Sequence, residues 1–116
     1  MKNADFLKLH GVNVENSLEL FGDMQTYNET LGDFLNDIDQ KLEQLKETKE
    51  IADMANYAIY VHSLKSDAKY FGFTKLAELA YQHELESKAN HIYYIYDHYD
   101  ELMEELNRII RVVQED

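Results

Sequence analysis

Three residues stand out as able to do chemistry together: His62, Lys65 and Lys69. They lie in the run Tyr57-Ala58-Ile59-Tyr60-Val61-His62-Ser63-Leu64-Lys65-Ser66-Asp67-Ala68-Lys69-Tyr70-Phe71-Gly72. At helical spacing the two lysines share the face of the histidine. Ala55 and Ala58 precede it by seven and four residues, and Ser66 follows by four, so its neighbours on that face are small. An imidazole nitrogen with open space around it can be a base, a metal ligand or a nucleophile. Ammonium groups alongside favour an anion, and phosphate is the usual anion so held. A phosphoryl group carried on the imidazole fits the clearance, the free nitrogen and the cations together. A surface histidine beside ordinary surface lysines fits the same spacing.

Other chemistries find less support. A di-iron or di-manganese bundle needs Glu-x-x-His pairs. The residues three before each histidine are Leu7, Ile59, Ala80, Lys88 and Ile95. His83-Glu84 begins like a zinc-protease helix, but Ser87 stands where the second histidine belongs. His91 and His98 are two turns apart, too far for a compact chelate. No cysteine is present, and no glycine-rich phosphate loop, so neither a cofactor nor a nucleotide site is expected. The net charge of −12 disfavours nucleic acid and anionic membrane surfaces. Against that acidic background the cations beside His62 are conspicuous.

The elements that must position this histidine are helices. Tyr57, Val61, Leu64, Ala68 and Phe71 recur at helical spacing and predict a core stripe beside the His62 face. The motif helix is predicted over about 50–71, with Gly72 in the left-handed conformation that closes a helix and Thr74 capping the next. Further amphipathic stretches predict helices over 24–45, 74–90 and 91–113. Asp23 is the expected N-cap of the first of these, and Gly32 inside it costs up to about 1 kcal/mol or admits a close neighbour. His83 is expected at the core edge and His10 at a solvated helix end. Tyr96 and Tyr99 are expected in the core with hydroxyls outward, Tyr93 and Tyr94 exposed. Segment 1–22 predicts one or two short helices.

A chain of 116 residues without proline suits one domain of long helices. The expected fold is all-α, an antiparallel four-helix bundle whose N-terminal helices cover one end. A helical hairpin pair completed by a partner is the alternative. No apolar run approaches the roughly 20 residues of a bilayer span, and Met1 to Leu9 does not read as a signal peptide. A soluble cytoplasmic monomer is expected.

His62-Ser63-Leu64-Lys65-Ser66, then Ala68, Phe71-Gly72, Leu76, Leu79, Ala80 and Glu84, resembles the histidine-containing phosphotransfer (HPt) domain of bacterial two-component phosphorelays. Gly11 to Gly22, with Tyr27, Leu31 and Phe34, resembles that family's opening segment, and Tyr93 to Leu106 its closing helix. Ser66 replaces a common glycine, His83 a usual leucine, and Asp67 lies five residues from His62, turned away from the ring. The resemblance implies that His62 accepts a phosphoryl group through Nε2 from a receiver-domain aspartate and passes it to another receiver. Lys65 is then the stabilising cation, with Lys69 as a second. The metal and acidic cluster would belong to the receiver. Ile51, Ala55, Ala58, Ile59 and Ser66 are the expected docking residues. Response-regulator receivers and a hybrid histidine kinase are the implied partners. Replacing Lys65 by alanine is expected to slow transfer with little loss of fold stability. The rival reading is a degenerate bundle that binds a receiver without carrying phosphate. An autonomous enzyme ranks third.

Overall fold

Six helices form nearly all of residues 3–114, which the computed structural model describes: α1 (Ala4–Leu9), α2 (Val14–Phe21), α3 (Met24–Glu50), α4 (Met54–Phe71), α5 (Thr74–Lys88) and α6 (Ile92–Gln114). The first two positions of the predicted 1–22 segment lie outside the described residues. Helices α3 to α6 make the bundle, with α4 packed between α3 and α5, and α6 against α5 and α3. Helix α2 packs on α3 and α4. No helix among the described residues is long and apolar enough to cross a membrane.

Two predicted boundaries need correcting. Helix α3 continues to Glu50 rather than ending at 45. Leu45 and Thr48 are both buried there, and the Thr48 hydroxyl donates to the carbonyl of Gln44, so nothing interrupts the ladder. The chain reverses at Ala52, in the left-handed region at φ 56°. The motif helix therefore starts at Met54, where Asp53 accepts a hydrogen bond from the Asn56 amide at 3.2 Å. Ile51 consequently caps α3 and is not on the motif helix. The cap of α5 is Phe73, not Thr74, which lies inside the first turn with its hydroxyl 3.4 Å from the Gly72 carbonyl. Asp23 caps α3 as expected, accepting from the Thr26 amide at 2.8 Å.

The stripe of Tyr57, Val61, Leu64, Ala68 and Phe71 is buried. On α6 the buried line runs through Ile95, Leu102, Leu106, Ile109 and Val113. Tyr96, one residue round from that line, is exposed rather than core, and Tyr99 is half-buried beneath the Lys49 ammonium. Tyr94, expected outside, is half-buried and stacked on His98 with ring centroids 4.1 Å apart.

His83 lies deeper than the core edge, with 1% of its surface exposed. Its Nε2 is 3.1 Å from the carbonyl of His98, which can only accept, so Nε2 carries the proton. Nδ1 then accepts from the Tyr57 hydroxyl at 2.8 Å. One ring thus ties α4, α5 and α6 together. Burial, ahead of every other influence, lowers the imidazole from an ordinary value of 6.5 to about 4.

At the far end of α4, Gly72 is buried in the left-handed region at φ 80°. Its carbonyl accepts from the Asn13 amide at 2.8 Å, and the Tyr27 hydroxyl donates to the Phe71 carbonyl at 2.7 Å. A Cβ on Gly72 would lie 2.4 Å from the Asn13 carbonyl oxygen. Around Gly32, by contrast, nothing lies within 4 Å of an added Cβ. The close approach considered for Gly32 belongs instead to Gly72.

Opposite outcomes follow for the two glycines. Gly72→Ala combines left-handed strain with a backbone clash and costs about 2–4 kcal/mol. Gly32→Ala adds helix propensity without a clash and stabilises by about 0.5–1 kcal/mol. Urea unfolding of both variants measures the pair.

His83 makes the fold acid-sensitive. Its folded value is depressed, so the unfolded chain binds the extra proton between the two values. This contribution is complete above about pH 6.5 and is lost as pH falls toward 4. Between about pH 7 and 4.5 the loss amounts to about 2 kcal/mol. His83→Leu, though weaker at pH 7 through the orphaned Tyr57 hydroxyl, should lose that much less on acidification, as urea midpoints at the two pH values would register.

Candidate functional site

The site is built across the α4–α5 pair. Val61 and Leu64 on α4 are buried, which turns His62 between them toward α5 and solvent. On α5, His83 enters the core while Glu84, one step round, meets α4. The Glu84 side chain is 4% exposed, that of His62 54%. Glu84 Oε2 lies 2.9 Å from His62 Nδ1 and 2.7 Å from Lys88 Nζ. Glu84 Oε1 lies 2.6 Å from Lys65 Nζ, an ion pair off the line of a good hydrogen bond. Lys65 is 13% exposed and its ammonium sits 5.2 Å from the centre of the Tyr81 ring. Lys88, in the last turn of α5, is 61% exposed.

Burial alone would raise the Glu84 carboxyl. The ion pair with Lys65 and the hydrogen bonds from Lys88 and His62 together overcome that and hold it at about 2, well below its ordinary 4.5. It is therefore a carboxylate and can only accept. His62 Nδ1 must carry a proton in the pair, so the lone pair of the neutral ring falls on Nε2, which has no partner among the described residues.

Beside the ring runs a groove of about 630 Å³, with Met54, Ala55, Ala58 and Ile59 along α4 and Ser87 and Lys88 along α5. Ala58 is buried in its floor, whereas Ala55 and Ile59 are exposed. Ile51, 72% exposed in the preceding turn, lies outside the lining. Ser66 is half-buried one turn beyond His62, also outside it. Lys69 lines a different cleft, with Asn13, Asn16 and Tyr81 among its walls. Asp67 is turned away from the ring and paired with Lys41 at 2.6 Å.

Glu84 and Lys88 were missed as members of the site. Glu84 entered the sequence reading only as part of a pattern, because spacing along one helix says nothing about register against the next. The Glu84–Lys88 spacing of four residues was the available local signal. The expectation that Lys65→Ala spares the fold also needs correcting, since Lys65 is largely buried and neutralises a buried carboxylate.

An all-helical bundle that braces one imidazole and turns its free nitrogen outward is suited to carrying a group. A family model described as Hpt domain matches residues 29–111, most of the chain, and the chain belongs to the Hpt domain family. No curated protein and no solved structure matches it. Hpt domains are phosphocarrier modules that act through a histidine in two-component systems, where they interact with receiver domains and kinases.

Glu84→Gln keeps the shape but strips Lys65 of its counter-charge, and should cost roughly 2–4 kcal/mol at neutral pH. The Glu84 value is depressed on folding, so its contribution is present above about 4.5 and lost as pH falls toward 2. Urea unfolding should accordingly show the gap between the two proteins closing over that range.

Proposed function

We propose that the chain is a phosphorelay intermediate with His62 as its phosphoacceptor, taking a phosphoryl group from a receiver aspartate and giving it to another receiver. The observation that carries this reading is the pairing of Nδ1 with Glu84, which leaves Nε2 as the nucleophilic nitrogen on the exposed side. The Nε2 lone pair attacks phosphorus, and the P–O bond to the aspartate breaks, its electrons leaving with the carboxylate. The ring becomes an Nε2-phosphorylated imidazolium that keeps its proton on Nδ1 against Glu84. Attack by a second receiver carboxylate on phosphorus reverses the bonding and restores neutral His62.

Transfer of this kind depends mostly on in-line placement and charge neutralisation. Glu84 fixes the ring and offsets the imidazolium charge. Lys65 acts through Glu84, holding the carboxylate in place and ionised. The groove of Met54, Ala55, Ala58 and Ile59, with Ile51 beyond its end, supplies an apolar docking face. The second cation imagined at Lys69 lines another cleft and has no part in this step.

Incubation with a phosphorylated receiver, following acid-labile label, tests the proposal. His62→Gln should take up none, and Lys65→Ala should take it up more slowly. Labelling of His62→Gln at the wild-type rate would remove the assignment. Tight receiver binding by the wild type without any labelling would identify an adaptor instead.

A further inference from the structure

Glu84 holds two lysines, and they differ in what they are free to do. Lys65 is enclosed on Oε1, its ammonium 5.2 Å from the Tyr81 ring centre. Removing it would leave Oε1 of a buried carboxylate without its cation, and its own ammonium without a counter-charge in a largely buried place. Lys88 shares Oε2 with His62, is 61% exposed, and is the single Lys or Arg in the groove beside the ring. The Lys88 ammonium keeps much of its contact with water, so drawing it from Glu84 leaves it hydrated, whereas the enclosed Lys65 has nowhere else to go. The lysine most able to move is thus the one that shares a carboxylate oxygen with the ring.

The charge balance points the same way. With neutral His62, Glu84 depends on Lys65 and Lys88 for neutralisation. Once Nε2 bears a phosphoryl group, the ring is an imidazolium on the same Oε2 that Lys88 occupied. Glu84 then keeps two cations without Lys88, while a phosphoryl dianion appears at the groove. That dianion would lie beside the last turn of α5, the negative end of the helix dipole. Lys88 offsets both.

Resting on the reading of His62 as phosphoacceptor, we infer that Lys88 is a catalytic residue of the transfer: it leaves Glu84 as the phosphoryl group arrives and hydrogen-bonds a phosphoryl oxygen. No bond to Lys88 forms or breaks apart from this exchange of hydrogen bonds. Lys65 stays on Glu84 throughout as a positioning residue.

The full chain is loaded with phosphoramidate as a small phosphodonor and, separately, from a phosphorylated receiver. Wild type, Lys88→Ala and Lys88→Arg are compared. Lys88→Ala takes one cation from a buried carboxylate and should unfold at a somewhat lower urea concentration than wild type, whereas Lys88→Arg, which keeps the charge, should nearly match it. In Lys88→Ala the equilibrium share of phosphate on His62 against the receiver should fall about three- to tenfold, the scale of one charge-assisted hydrogen bond at a partly exposed site. The pH midpoint of the ³¹P shift should rise, since a nearby cation favours the dianion, and Lys88→Arg should restore both. A merely structural Lys88 would move neither. If His62 loads from phosphoramidate and Lys88→Ala leaves both readouts unchanged, the role of Lys88 is wrong and the phosphoacceptor stands. If wild-type His62 accepts phosphate from neither donor, the phosphoacceptor reading fails and takes Lys88 with it.

Discussion

A carboxylate buried between two helices is the constraint on which this site depends. Glu84 cannot remain ionised at that depth without cations, and cations cannot reach it unless α4 and α5 hold a fixed register. Lys65 comes from α4 and Lys88 from α5, with His62 completing the set. Their net effect is a carboxyl that stays charged down to about pH 2. Its ionisation dictates the proton position on His62, and that proton position decides which ring nitrogen is free. A chain of electrostatic necessity thus runs from a buried oxygen to a solvent-facing lone pair.

The register has its own support one residue away. His83 and Glu84 are adjacent on α5, so a helix turns them about 100° apart. One faces the core and the other faces α4. His83 is bonded to Tyr57 on α4 and to the His98 carbonyl on α6, which fixes how α5 is rotated and slid against both neighbours. Any rotation of α5 that released Glu84 from His62 would also break those bonds inside the core. Buried polar partners of this kind are costly to separate, because each leaves an unpaired group behind. A histidine where the family pattern usually has leucine therefore serves the site indirectly, by making the rotation of α5 hard to change.

Much of this could be read along the chain, and the limits have physical causes. The core stripe of α4, the closure at Gly72 and the capping by Asp23 are local, governed by spacing and backbone preference, and the sequence expresses them directly. Where α3 ends is not local. Neither glycine nor proline marks 45–50, and the helix continues because Leu45 and Thr48 find burial against the rest of the bundle. The same holds at the site. Small and cationic neighbours single out His62 along the chain, but Lys65 and Lys69, equivalent by spacing, part company in three dimensions. One turns to Glu84 and the other to a cleft walled by Asn13 and Tyr81. Only the packing of α5 and α2 against α4 separates them.

The charge of the chain bears on how such a site meets a partner. At −12 it repels another acidic protein at long range, yet the screening length at physiological salt is only about 8 Å. Within that distance the local composition governs, and around His62 it is apolar and cationic. Ile59 is 62% exposed and Ile51 72% exposed. Their burial against a partner would supply attraction that the net charge does not. A contact of that type, small and without electrostatic steering, releases readily. On the relay reading this is what turnover requires, since the same nitrogen must meet one receiver, part from it, and meet another. Strong electrostatic steering would work against the second half of that cycle, whereas an apolar patch with its charges committed to Glu84 leaves both halves open.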